Sequence, residues 1–304
     1  MRHYLLLLGG VLAVSAAPLL ARWGLDAGMR ATTLAMWRLA LAASALIAWN
    51  LYRAGPARPP LPGPVWIRLA AAGAYLALHF VAWFASLELI PVARSTLLVT
   101  TAPLWAGLLG LAVPALRPQR GFWSGLLVAA AGLFLVTASG AARSGLAPAV
   151  KGMAPLGDAL AVLGAVMVVP YYLLVQQAQA RYGTLRVVTV VYAAAALCLG
   201  LAALAQGQIA LPPTPVAWVS VAGMALVPQL LGHTALNRSL RAFNAGQVAA
   251  ATLLEPVFAA ALAWPLLGER LSLRQALGAA LLLGGVALAL LHSQMREEVT
   301  VPME

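Results

Sequence analysis

The chain has 304 residues, 62% of them hydrophobic and 9% charged, and its mean hydropathy is +0.90. A soluble domain carries about 25% charged residues, so there is too little charge here to wet a globular surface. That excludes disorder, a disulfide scaffold and a water-soluble enzyme together. The net charge of +11 comes from basic residues set singly or in pairs between apolar blocks, as topology-setting charges are. A nucleic-acid footprint would cluster them, so no nucleic-acid partner is expected. The one cysteine, Cys198, lies in an apolar stretch and gives neither a disulfide framework nor a thiolate metal site.

A helix crossing a ~30 Å hydrocarbon core needs about 20 mostly apolar residues. Ten such blocks follow one another, at 4–21, 31–52, 64–87, 95–113, 121–139, 156–180, 186–205, 215–235, 243–265 and 273–292. None alternates as a membrane strand would. The first follows Met1-Arg2-His3 and imitates a signal peptide, but nine further blocks make it an uncleaved first helix. The longest connection, Gly140–Pro155, has no room for a soluble domain. The chain therefore reads as an all-α membrane protein of two five-helix units at 1–140 and 156–292. Residues 141–155 join them, and 293–304 form a tail. Basic residues number eleven on one side of the spans and seven on the other, with Arg38 left inside a span. Both termini are thus expected in the cytoplasm.

The two units echo each other. Moving the second back by 153 residues sets Ser86-Leu87 on Ser239-Leu240, Pro103 on Pro256, Leu109 on Leu262, Gly125 on Gly278, Gly132 on Gly285 and Leu135 on Leu288. Five spans per unit is odd, so two similar units must insert with opposite orientation, about a pseudo-two-fold axis in the membrane plane. Inverted repeats of this kind belong to secondary transporters that bind substrate near the midplane between them.

The motif Leu254-Glu255-Pro256-Val257-Phe258-Ala259-Ala260-Ala261-Leu262-Ala263-Trp264, followed by Leu267-Gly268-Glu269-Arg270-Leu271, resembles the ninth-span signature of the drug/metabolite transporter superfamily. More narrowly it is similar to the EamA type. Thr101-Ala102-Pro103-Leu104-Trp105 is a weaker echo in the fourth span. The resemblance covers the whole chain. It implies ten helices as two inverted five-helix repeats and a multi-pass metabolite exporter of the bacterial inner membrane. It leaves the substrate open among amino acids, drugs, nucleotide sugars and other metabolites.

Polar side chains inside a membrane are costly and mark function. Glu255 falls near mid-bilayer in the ninth span, beside Pro256. It reads as a site for a substrate ammonium, as a proton acceptor, or as the partner of Arg38 in a structural ion pair. Tyr75, His79 and Trp83 recur at i, i+4 and i+8 in the third span, and Gln229, His233 and Asn237 do so in the eighth, each on one helix face. The two stripes lie 154 residues apart and are expected to face one cavity. There imidazole donates to a carboxylate or relays a proton, and the aromatic rings hold an aromatic or cationic solute. Tyr171, with Tyr172 beside it, either adds to that wall or packs. Thr100, with Thr101, and Thr252 either line the path or bond backbone groups freed at the kinks expected from Pro103, Pro170 and Pro256.

No Walker loop, HExxH motif or cation-filter sequence is present, so no cofactor or metal is expected. The leading expectation is a secondary carrier of small amphiphilic metabolites, with amino acids, aromatic ones included, as its substrates. This agrees with the aromatic amino-acid exporters of the resembled superfamily. Its partners are a small-molecule substrate and the lipid bilayer, with no obligate protein partner. The alternatives are an exporter of cationic aromatic drugs, an intramembrane lipid enzyme and a non-transporting scaffold. No Ser or Cys lies within helical spacing of either His, which disfavours the enzyme.

Overall fold

The structure is a computed structural model that describes residues 1–53, 60–90, 92–112, 118–140, 153–258 and 273–291. Its elements in the first half of the chain are α1 (Arg2–Val14), α2 (Ala17–Asp26), α3 (Ala31–Tyr52), α4 (Gly63–Leu89), α5 (Val92–Val99), α6 (Ala102–Ala112) and α7 (Arg120–Gly140). The second half holds α8 (Ala154–Tyr182), α9 (Thr184–Ala205), α10 (Pro215–Met224), a π-helix (Ala225–His233), α11 (Thr234–Ser239), α12 (Ala245–Thr252) and α13 (Leu273–Leu291). Among the described residues, seven helices are long and apolar enough to cross a membrane, with shorter apolar helices at Arg120–Leu135 and Ala276–Leu291. Leu127, Phe134, Leu201 and Leu204 are exposed on the outside, as a surface solvated by lipid requires. The chain is a helical, multi-pass membrane protein.

Several spans are not single α-helices, and local chemistry explains each break. The first changes direction at Ser15–Ala16, just before Pro18 at the start of α2, and the Ser15 hydroxyl donates to the Val11 carbonyl at 2.7 Å. The fourth breaks at Thr100–Thr101, ahead of Pro103. Proline supplies no N–H to the preceding turn. At the break the Thr100 hydroxyl bonds the Thr96 carbonyl (2.9 Å), and that of Thr101 bonds the Leu98 carbonyl (2.7 Å). The eighth span passes through the π-helix, which contains Pro228. At Pro170, by contrast, α8 carries the proline inside one unbroken helix.

The ninth span repeats the break of the fourth. It starts with an Asn244 capping box, Gln247 N–H donating to Asn244 Oδ1 at 2.8 Å and Asn244 N–H to Gln247 Oε1 at 2.9 Å. It then breaks at Leu253–Leu254, ahead of Pro256. The bonds Thr101 N–H to Leu98 O and Leu104 N–H to Thr101 O recur as Leu254 N–H to Ala251 O and Val257 N–H to Leu254 O. Each residue of the second set is 153 beyond its counterpart in the first, so the sequence register reappears in the backbone. The rest of the family-like motif, residues 259–271, lies outside the described residues.

Packing follows the same exchange. The third span (α4) rests on the sixth (α8), and the eighth (α10 to α11) rests on the first (α1 and α2). In the same way, the third touches the seventh (α9) as the eighth touches the second (α3), and the fourth touches the sixth as the ninth (α12) touches the first. The fifth and tenth, α7 and α13, pair with each other through glycines. A Cβ on Gly125 would stand 2.7 Å from the Gly285 carbonyl oxygen, and one on Gly132 would stand 2.6 Å from that of Gly278. Backbones touch here because no side chain intervenes. The contact of 125 with 285 becomes that of 278 with 132 under the 153-residue shift.

Candidate functional site

A cavity opens among the first, third, fourth, sixth, eighth and ninth spans. The first half of the chain lines it with Val14, Ala17, His79, Trp83, Val99, Thr100 and Ala102. The second half lines it with Val168, Tyr172, His233, Leu236, Thr252 and Glu255. Its volume of about 40 Å³ is small beside the roughly 300–1,000 Å³ of pockets that enclose a drug-sized ligand, so a solute of that size needs the helices around it to part.

Of the residues expected to form a site, His79, Trp83, His233, Thr100, Thr252 and Glu255 meet at this cavity. Tyr75, Gln229, Asn237 and Tyr171 do not line it. In α4 a spacing of i, i+4, i+8 advances 400° rather than 360° per step, so the stripe of Tyr75, His79 and Trp83 fans out, while the eighth span turns through a π-helix of different pitch between Gln229 and His233. Tyr75 is half-buried against the apolar core. Gln229 and Asn237 are completely buried and turn into a polar network behind the cavity wall. Tyr172, rather than Tyr171, belongs to the wall, and so do Val14 and Val168, which sequence reasoning did not single out. A signal existed for the valines, since Val14 and Val168 share the 154-residue offset of the two histidines.

The Arg38–Glu255 ion pair is not formed in this structure. Arg38, fully buried in α3, donates from Nε to Gln229 Oε1 at 2.7 Å. Its guanidinium lies over the Phe80 ring, 4.1 Å from the centroid, where the ring face attracts a cation. Being at similar depth does not suffice: the eighth span places Gln229 nearer than the ninth places Glu255. Glu255 is half-buried at the cavity, with no ion-pair partner among the described residues.

Behind the wall, Asn237 Nδ2 donates to the Tyr171 hydroxyl at 2.5 Å and to the Tyr192 hydroxyl at 3.3 Å. Tyr192 meets the Thr234 hydroxyl at 3.3 Å, and that hydroxyl donates to the Gln229 carbonyl at 3.3 Å. The network is incompletely satisfied. Among the described residues, Arg38 Nη1 and Nη2, Gln229 Nε2, Asn237 Oδ1, His233 Nδ1 and Trp83 Nε1 are buried with no hydrogen-bond partner. Each such group costs about 1–3 kcal/mol, and more when charged, so their concentration around one locus calls for a partner.

The two cavity histidines differ. His79 Nδ1 lies 2.8 Å from the Gly164 carbonyl oxygen. A carbonyl only accepts, so Nδ1 carries the hydrogen, and neutral His79 presents Nε2 as an acceptor. In that tautomer Nε2 suits a substrate N–H rather than a carboxylate. His233 has no such anchor and stands edge-on to Phe80, with ring centroids 5.2 Å apart. Trp83 stacks on His79 at 6.1 Å. No cluster of His, Cys, Asp and Glu suited to a metal occurs among the described residues.

Comparison with known proteins agrees with this architecture. The family model described as "EamA-like transporter family" matches the chain twice, over residues 1–138 and 155–291. A protein of known crystal structure superimposes with a TM-score of 0.76 and 22% identity, over 98% of this chain and 99% of its own. At that identity the likeness speaks for the fold alone. No curated protein matches the chain.

Proposed function

The chain belongs to the EamA-like transporter family, and on that premise we propose that it is a secondary carrier exporting small amphiphilic metabolites across the bacterial inner membrane. Amino acids, aromatic ones included, are the proposed substrates. In this reading the two halves, 1–140 and 156–292, are inverted five-helix repeats, giving ten crossings with both termini in the cytoplasm. The repeated break at Pro103 and Pro256, and the exchanged contacts of α7 and α13, support a pseudo-two-fold relation. Two equivalent halves around one midplane cavity can trade conformations, which is the requirement of alternating access.

The observation that carries the substrate class is the composition of the cavity wall. Glu255 supplies negative charge for an ammonium group, with His79 Nε2 as a second acceptor. Trp83 and Tyr172 supply flat apolar surface for a side chain. The test is uptake of labelled tryptophan and phenylalanine into liposomes containing the purified protein, with and without a pH gradient. Saturable flux that falls on the order of 100-fold in Glu255→Gln, and that His79→Ala keeps with about tenfold weaker affinity, is the expected result. Dependence on the gradient assigns proton coupling, and independence assigns uniport. Flux no greater than in empty liposomes overturns the amino-acid reading. The same unpaired Glu255 beside aromatic rings supports a second reading, export of cationic aromatic drugs, and quaternary cations are then the solutes to assay.

A further inference from the structure

The wall of the cavity accounts for a positive group on the solute but offers no charged partner for a negative one. Glu255 and His79 Nε2 both accept. Arg38, the cation nearest by contact, lies one ring behind the wall. Phe80 touches its guanidinium at 4.1 Å and approaches the two cavity histidines, His79 at 4.9 Å and His233 at 5.2 Å between centroids. Among the described residues Arg38 hydrogen-bonds only through Nε, to Gln229, and Nη1 and Nη2 are buried and unpartnered. His233 Nδ1, whose role depends on the tautomer, and the neutral Trp83 Nε1 donor are buried without a partner as well. Arg38 thus holds the unused cationic donors, while the acceptors Glu255 and His79 lie at the cavity. A guanidinium presents its two Nη nitrogens as a fork matched to a carboxylate.

We propose that Arg38 receives the carboxylate of the solute, and that this makes the site selective for zwitterions over simple cations. The inference rests on the amino-acid reading above. The parting of helices that admits a solute moves Phe80 aside and brings the fork to the cavity. The ammonium then binds at Glu255 and the carboxylate at Arg38, with His233 beside it. The Gln229 bond to Nε fixes the guanidinium plane while the other edge stays free.

Three indole probes of one shape test it: tryptophan, tryptamine without the carboxylate, and indole-3-propionate without the ammonium. Counterflow and thermal-shift binding are measured on the purified full-length protein. Wild type is expected to prefer tryptophan to tryptamine by at least about tenfold, which is the penalty of leaving a buried donor site empty. In Arg38→Gln, tryptophan falls to the level of tryptamine, whereas Arg38→Lys keeps part of the preference. Gln229→Glu places a carboxylate on Arg38 itself and is expected to erase the preference even if Arg38→Gln fails to fold. A preference that persists in Gln229→Glu, or equal handling of tryptophan and tryptamine by wild type, overturns the role of Arg38 and leaves the amino-acid reading standing. No response of wild type to tryptophan overturns both.

Discussion

Val14 and His79 from the first half of the chain meet Val168 and His233 from the second across the cavity, at a constant offset of 154 residues. Where the first half has Ala102, however, the 153-residue register puts Glu255, and where it has Trp83 that register puts Leu236. Backbone breaks, valines and histidines are shared, while among the described lining residues the acid, Glu255, is found on one side only, and the aromatic rings come from different places, Trp83 in the third span and Tyr172 in the sixth. A shared frame would suit two exchanging halves, and an unshared acid would suit an asymmetric solute. Both halves offer stacking surface, and the second offers the carboxyl group.

The comparison can be broken at its frame first. Gly285→Leu drives a side chain into the backbone of α7 and is expected to cost about 3 kcal/mol or more. Folded protein should be lost on size-exclusion chromatography. Its neighbour Gly284 has nothing within 4 Å of an added Cβ, and Gly284→Ala should be neutral or stabilising by up to about 1 kcal/mol. Gly132→Leu, the counterpart of Gly285→Leu, should be equally severe. Unequal effects would argue against a two-fold interface.

Next in size, Glu255→Gln should lower flux on the order of 100-fold, about the effect of removing one partner from a buried charge contact. Moving the acid across the register, with Ala102→Glu combined with Glu255→Ala, should recover roughly tenfold over Glu255→Ala alone. Absence of any recovery would show that the halves are matched in backbone but not in the space they give a side chain. His79→Ala and His233→Ala should each lower affinity about tenfold, and an effect confined to one would assign the cavity's polar work to a single half. Tyr75→Phe, away from the cavity, should change flux less than about twofold.

Much of this could be read from residue order. Apolar blocks and punctuating prolines mark the helices, and Pro103 with Pro256 mark the repeat, because length and a missing N–H act locally. His79, His233 and Glu255 were legible for a similar reason: polar groups are too expensive in hydrocarbon to be idle. Arg38 was legible as an outlier but not in its contacts. Its partner was expected at the same depth in the ninth span, yet azimuth decides, and azimuth depends on how the eighth span winds through its π-helix. Gln229 was therefore expected at the cavity and instead faces Arg38. Tyr172 entered the wall in place of Tyr171 because adjacent residues on a helix point about 100° apart, which a bare Tyr-Tyr pair cannot resolve.

The glycine contact of α7 and α13 also bears on motion. Side chains that interlock must leave one set of holes and find another when helices shift, and each step meets a barrier. A surface of bare backbone has no knobs to lift and no rotamers to sort. It resists separation, since dispersion at such short range is strong, but offers little resistance to turning about the point of closest approach. Among the described residues, none from the fifth or tenth span lines the cavity. These two spans would serve as a bearing, holding the two halves together while the cavity mouth swings from one face of the membrane to the other.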